Sequence, residues 1–251
     1  MEPYAAPAQI YVAGLVFLRV GAVVMLIPGL AEGFVPPRIR LAFALLLALC
    51  VTPIAAHTLP AVPSSLGDLG GQAIKELVIG LMLGGLLRLM LSALSVAGEV
   101  ISIQTTLAFA QTANPLQAQP GAALASFLTL LGVTLIFAGD LHHLFLAAIV
   151  RSYTLFPPAG QVMVGDVAGV ALRTVASSFG LGIQLAAPVM VFSLVFNVAS
   201  GLVGRVMPQF QIFFAATPLS VLLGLSVFAL GLGGGLMLWL ERYQAFMQPL
   251  I

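Results

Sequence analysis

The chain alternates long apolar runs with short polar corners. The first run extends from Ile10 to Ala31 and is broken only by Arg19; the second, Leu41–Ala56, follows a corner at Glu32–Arg40. Pro36, Pro37, Arg38 and Arg40 in that corner are expected to stop one helix before the next begins, which predicts a helical hairpin. Its second arm is short against the about 20 residues of a full span, and Pro53 shortens the regular part further. Pro60, Pro63, two serines and Asp68 predict an exposed loop over His57–Gly71. The third run, Gln72–Gly98, carries Lys75, Glu76 and Arg88, and its Gly80 and Gly84 lie four apart on one helix face, a spacing that lets another helix pack closely.

The fourth run, Ala122–Val150, is polar only around Asp140, His142 and His143, and a loop from Phe156 to about Asp166 follows it. The last two runs, Thr174–Gly204 and Gln209–Leu240, are uncharged throughout. As straight helices each would measure about 47 Å, well beyond a hydrocarbon core of roughly 30 Å. Pro188 and Pro218 are candidate bends, or else the helix ends pack against other protein outside the bilayer. The pattern predicts an all-α membrane protein of about six long apolar helices arranged in hairpins.

Composition narrows the class. With 61% hydrophobic and 7% charged residues among 251, and a mean hydropathy of +1.14, an ordinary soluble protein is excluded. The net charge of +1 and the scattered basic residues give no nucleic-acid surface. Cys50 is the sole cysteine, so no internal disulfide or cysteine metal pair forms, and it is read as a small buried apolar residue. Glu2 precedes the first run and no basic residue occurs before Arg19, unlike a secretory signal peptide, so the first run is expected to be retained. Arg38, Arg40 and Arg205 on one side oppose Lys75, Arg151, Arg173 and Arg242 on the other, a balance that fixes no orientation.

One stretch departs from the pattern. From Gly98 to Pro120 the chain is rich in Gln, Thr and Asn, and after Glu99 it carries no charge until Asp140. Lipid penalises so many amides, and a solvated loop usually carries Lys, Glu or Asp; a water-lined passage inside a membrane assembly tolerates them. In the last hairpin, Ser193, Asn197, Gly201 and Arg205 recur every four residues, while Gly231, Gly233, Gly234 and Gly235 strip the other arm of side chains. Both features predict helix contacts.

Other chemistry is sparse. Adjacent His142 and His143 diverge by about 100° on a helix, so Asp140, His142 and His143 are read as junction polarity rather than a metal site. No nucleophile elbow, HExxH spacing or glycine-rich phosphate loop occurs; neither enzyme activity nor a cofactor is expected, and any driving force comes from partners. A small-molecule transporter is the alternative from a different class, because Arg19, Lys75, Glu76, Arg88, Glu99 and Asp140 sit in or beside apolar runs. Against it, the carboxylates do not pair at helical spacing and no inverted repeat is evident.

Four blocks in fixed order resemble the FliR-type export-gate family of type III secretion. They are FLRVGAVVMLIPG with VPPRIRLAFAL (residues 17–29 and 35–45), GEVISIQTTLAFAQTANP (98–115), GDLHHLFLAAIVRSYTLFPPA (139–159) and GRVMPQFQIFFAATPLSVLLGL (204–225). His142-His143, Ser152-Tyr153 and Pro157-Pro158 resemble the flagellar branch more than the injectisome branch. The resemblance implies a non-catalytic subunit of an export gate in the bacterial inner membrane, within the flagellar basal body. It implies FliP-like and FliQ-like partners, FlhB-like and FlhA-like export components, and unfolded protein substrates. It further implies that residues 1–160 are FliP-like in build and that 161–251 form a FliQ-like hairpin. The amide-rich stretch, about 103–120, is then a channel plug with Leu107, Ala108, Phe109, Ala110 and Gln111 at its centre. Asn197, Gly201, Gly204, Arg205 and Pro208 are then the subunit contacts.

Overall fold

The structure, a computed structural model, describes residues 5–58, 62–63, 65–108, 122–158, 164–207 and 212–250. Among these the regular elements are helices: α1 (Ala5–Val24), α2 (Pro37–Ala55), α3 (Leu66–Gln104), α4 (Ala122–Ala138), α5 (His142–Leu155), α6 (Val164–Val206) and α7 (Ile212–Met247), with short 3-10 turns at Ala56–Thr58 and Gln248–Leu250. Five helices are long and apolar enough to cross a membrane, and the bent pair α4–α5 makes up to six. The protein is an all-α membrane protein.

Local chemistry moved several boundaries from where the apolar runs place them. α1 ends at Val24 rather than Ala31, because Pro28 cannot continue a helix and Gly29, at φ 88°, turns the chain. The Pro36-Pro37 corner starts α2 rather than only ending α1: Pro36 precedes the helix and Pro37 takes its first turn, where a missing N–H costs nothing. Arg40 ties the corner by donating to the Glu32 carbonyl at 2.7 Å and the Val35 carbonyl at 2.9 Å. α3 begins at Leu66, inside the expected loop, because Ser65 Oγ accepts the Asp68 N–H and donates to the Asp68 carboxylate. The fourth run is broken after Ala138, where Asp140 has φ 58° and the two helix axes diverge by 76°.

Neither Pro188 nor Pro218 ends its helix. α6 runs 43 residues and α7 36, or about 65 and 54 Å at 1.5 Å per residue. Cys50 corrects an expectation, since it is exposed. α2 buries only a narrow stripe, Ala44, Ala48, Val51 and Ala55, and Cys50 is one position off it, about 100° around the helix.

The chain divides into two compact units interleaved along the sequence. One comprises Met1–Met90, Ile136–Val175 and Gln244–Ile251. Here α1 lies directly on α3: a methyl at Gly80 would strike the Arg19 carbonyl and Ala22, and one at Gly84 would come within 2.7 Å of Leu26 Cβ. The small-xxx-small pair is thus used within the chain. Arg19 is fully buried and meets Glu76, 1% exposed, through Nε at 2.6 Å and Nη2 at 2.9 Å. Its remaining donors reach the Ser152 carbonyl (2.8 Å), Ser152 Oγ (3.2 Å) and the Phe156 carbonyl (2.9 Å), and the guanidinium lies 4.2 Å from the centre of the Tyr153 ring. One side chain therefore ties α1, α3 and α5 together.

The other unit comprises Leu91–Leu135 and Ala176–Tyr243. Its core joins Ile101, Leu124, Ala186 and Val189, flanked by Val100, Met190, Val227 and Phe228. Gly98 is closed by the Ala125 backbone and Gly182 by the Ala93 carbonyl at 2.8 Å, so α3 touches α4 and α6 almost backbone to backbone. Trp239 and Tyr243 of α7 are fully buried, their rings 5.1 Å apart.

Breaking one side of a buried ion pair strands the other charge. Arg19→Leu or Glu76→Leu alone should lower stability by about 3–5 kcal/mol, whereas the double variant should recover most of that loss. Thermal unfolding of the detergent-solubilised protein measures both effects; a double variant that loses the sum of the two single losses would show that the pair is not coupled.

Candidate functional site

The base of the amide-rich stretch is built by the last turns of α3. Ser102 and Thr105 are buried, Thr105 Oγ1 donates to the Ile101 carbonyl at 2.8 Å, and Ser193 Oγ of α6 donates to the Gln104 carbonyl at 2.9 Å. α7 closes on the same point, where Gly224 leaves room for the Thr105 side chain. The helix ends because Thr106 adopts φ 60°, a conformation that is uncommon for a β-branched residue. Ser102 Oγ and Thr106 Oγ1 are buried with no hydrogen-bond partner among the described residues. Leu107 and Ala108 follow, half-buried and helical, whereas Phe109, Ala110 and Gln111 lie outside the described residues. The root of the stretch is thus clamped by three helices of one unit.

The α6 stripe begins at buried Ser193 and runs outward. Asn197 is exposed and donates to Ser193 Oγ at 3.2 Å; the hydrogen bond that its amide needs comes from its own helix, one turn back. Gly201 is exposed with no neighbouring atom within 4 Å of an added methyl, Gly204 is half-buried, Arg205 is exposed, and Pro208 lies outside the described residues. Around Gly201, Leu194, Val195, Val198, Leu202 and Val203 are all exposed. In the glycine-rich turn of α7, Gly231, Gly233 and Gly234 are open as well, while Gly235 meets the Leu185 side chain at 3.2 Å. Of the apolar window of α7, 6% is buried within the chain, against 56% for α3, so α7 is left for lipid or another protein to cover.

The ionisable residues are less free than their positions in apolar runs imply. Arg19 and Glu76 neutralise each other, and Lys75 Nζ donates to the carbonyls of Pro157 and Pro158. Three of the transporter candidates are therefore engaged in holding one unit together. Asp140, His142 and His143 form the junction between α4 and α5, as their polarity predicts, but they do not diverge. The two imidazole centres are 4.1 Å apart, and His143 Nδ1 lies 3.9 Å from Asp140 Oδ1.

The Arg19–Glu76 clamp is the feature that sequence reasoning missed, since partners 57 positions apart leave no periodic signal. The sole hint was the cost of an arginine within an apolar run.

These features define an all-α membrane protein with a self-contained buried ion pair and a long, apolar, largely uncovered C-terminal hairpin. Residues 10–246 match the family described as bacterial export proteins, family 1, and the chain belongs to that family. It is 58% identical over 244 residues, 97% of each chain, to flagellar biosynthetic protein FliR of Caulobacter vibrioides. It is 30% identical over 215 residues, 84% of this chain and 80% of the other, to FliR of Escherichia coli. FliR of Bacillus subtilis is 27% identical over 215 residues. The resemblance carried by the four sequence blocks is upheld along nearly the whole chain.

Glycines closed by the chain and glycines left open should respond differently. Gly182→Val forces α6 off α3 at the Ala93 carbonyl and should cost about 1–3 kcal/mol, whereas Gly201→Val, facing open space, should leave the stability of the isolated chain within about 0.5 kcal/mol. Paired thermal melts in one detergent decide it.

Proposed function

We propose that this chain is a non-catalytic core subunit of the flagellar type III export gate in the bacterial inner membrane. It assembles with FliP-like and FliQ-like subunits, meets FlhB-like and FlhA-like components, and helps to form a channel for unfolded flagellar proteins. The observation that carries the reading is the combination of a family match over residues 10–246 with a hairpin whose apolar surface the chain does not cover itself. The flagellar branch is favoured over the injectisome because the relatives named above are flagellar FliR proteins.

In this reading residues 1–160 act as a FliP-like part and 161–251 as a FliQ-like hairpin. The face that carries exposed Asn197, Gly201 and Arg205 and half-buried Gly204 receives a neighbouring subunit, with Gly201 admitting a close helix approach, and Pro208 is proposed to join that contact. α6 and α7, at about 65 and 54 Å, exceed one bilayer because part of their length packs on protein. Leu107, Ala108, Phe109, Ala110 and Gln111 form the plug. Its apolar residues exclude water from a narrow passage at rest, and its uncharged amide flanks let it withdraw without desolvating a charge. The clamp of Gln104 and Thr105 by Ser193 and Gly224 gives that plug a fixed root.

Two experiments test the two halves of the proposal. Deleting Thr106–Gln111 should leave the complex with FliP-like and FliQ-like subunits intact while raising the permeability of the cell membrane to small solutes; an unchanged permeability removes the plug assignment. Gly201→Phe should abolish co-purification of those subunits with this chain without changing its own melting temperature. Full recovery of the complex would refute the contact face.

A further inference from the structure

The turn between α4 and α5 gathers a set of ligands that neither the helix clamp nor the gate reading uses. One ligand atom from each of Asp140, His142 and His143 lies within 4.8 Å of the others. Adjacent positions on a regular helix point about 100° apart, but here Asp140, in the left-handed region at φ 58°, turns its carboxylate toward the first turn of α5. His142 stacks on Phe137 at 5.3 Å, and its Nδ1 is buried with no hydrogen-bond partner among the described residues. An imidazole nitrogen left without a partner forfeits a hydrogen bond that water would otherwise supply. Asp140 and His143 are exposed, and the contact of His143 Nδ1 with the Asp140 carbonyl is long at 3.3 Å, so a rotation of these side chains that gives up that contact closes the remaining distance.

We propose that Asp140, His142 and His143 bind a divalent transition-metal ion, zinc or a chemically similar ion, at the α4–α5 turn. Two imidazoles and one carboxylate are the donors of borderline metals rather than of magnesium or calcium, which prefer all-oxygen shells. A tetrahedral centre with bonds of about 2.0–2.1 Å needs its ligand atoms about 3.3 Å apart, a contraction that exposed side chains can make without moving either helix. Three protein ligands leave the fourth position to water. The electrostatics also permit it: the positive N-terminus of α5 opposes a cation, but the negative C-terminus of α4 and the Asp140 carboxylate offset that opposition. Bound there, the ion would join Asp140 of the turn to the first turn of α5 and fix the 76° bend.

The test uses the full-length chain purified in detergent with a tag free of histidine and stripped of metal by chelation. Titration with Co²⁺, followed by its visible absorption and by displacement with Zn²⁺, should show one equivalent bound. His142→Gln/His143→Gln should abolish that equivalent, Asp140→Asn should weaken it about tenfold or more, and His57→Gln, outside the cluster, should leave it unchanged. Asp140→Asn and His57→Gln should keep the parent melting temperature without metal, because both positions are exposed. No bound equivalent in the parent, or an equivalent retained at parental affinity in the double histidine variant, overturns the site. Unaltered affinity in Asp140→Asn overturns the three-ligand assignment.

Discussion

An arginine carried into the middle of an apolar bundle must find acceptors for five N–H donors or remain a cost of several kcal/mol. Arg19 finds them in Glu76 of α3 and in Ser152 and the Phe156 carbonyl at the end of α5, two stretches far apart in the chain. Satisfying this one group fixes which face of α1 meets α3 and where the end of α5 lies. The close approach at Gly80 and Gly84 works in concert with it, since the α1 backbone must come near α3 for Arg19 to reach Glu76. Hydrogen bonding sets the register, and small residues allow the distance.

The other unit is organised by backbone proximity rather than by charge. Gly98, Gly182 and Gly224 are each occupied by a neighbouring helix, and the contacts converge on the last turns of α3, where the amide-rich stretch departs. The rigidity of that root contrasts with the outward face of the same unit. Gly201, Gly231, Gly233 and Gly234 meet nothing, and the valines and leucines around Gly201 are exposed. A membrane chain can leave apolar surface exposed to lipid at little cost, but helices of about 65 and 54 Å exceed what a bilayer of roughly 30 Å can cover. The excess length is the physical reason for reading this face as a place for partner subunits.

Much of the architecture was legible in the order of apolar runs, because burial in lipid demands length and low polarity whatever the packing. The spans, the junction at Asp140 and the close-packing role of Gly80 follow from that requirement, and the uncharged polar character of Gly98–Pro120 is a property of composition alone. Boundaries were less legible. A run such as Ile10–Ala31 is apolar on both sides of the true helix end, and hydropathy is blind to the turn that Pro28 and Gly29 impose.

The sequence by itself determined the class of protein, its family and the position of the amide-rich, uncharged segment Gly98–Pro120. Tertiary structure alone decided which similar residues do different work. Gly182 and Gly201 look alike in a helical pattern, yet one is filled by a backbone carbonyl and the other faces open space. Cys50 reads as buried within an apolar run, yet it lies outside a stripe narrowed to Ala44, Ala48, Val51 and Ala55. Arg19 and Glu76 carry no mutual signal, because pairing depends on how two helices are rotated about their axes. That rotation is set by contacts between residues distant in sequence, which a one-dimensional pattern does not encode.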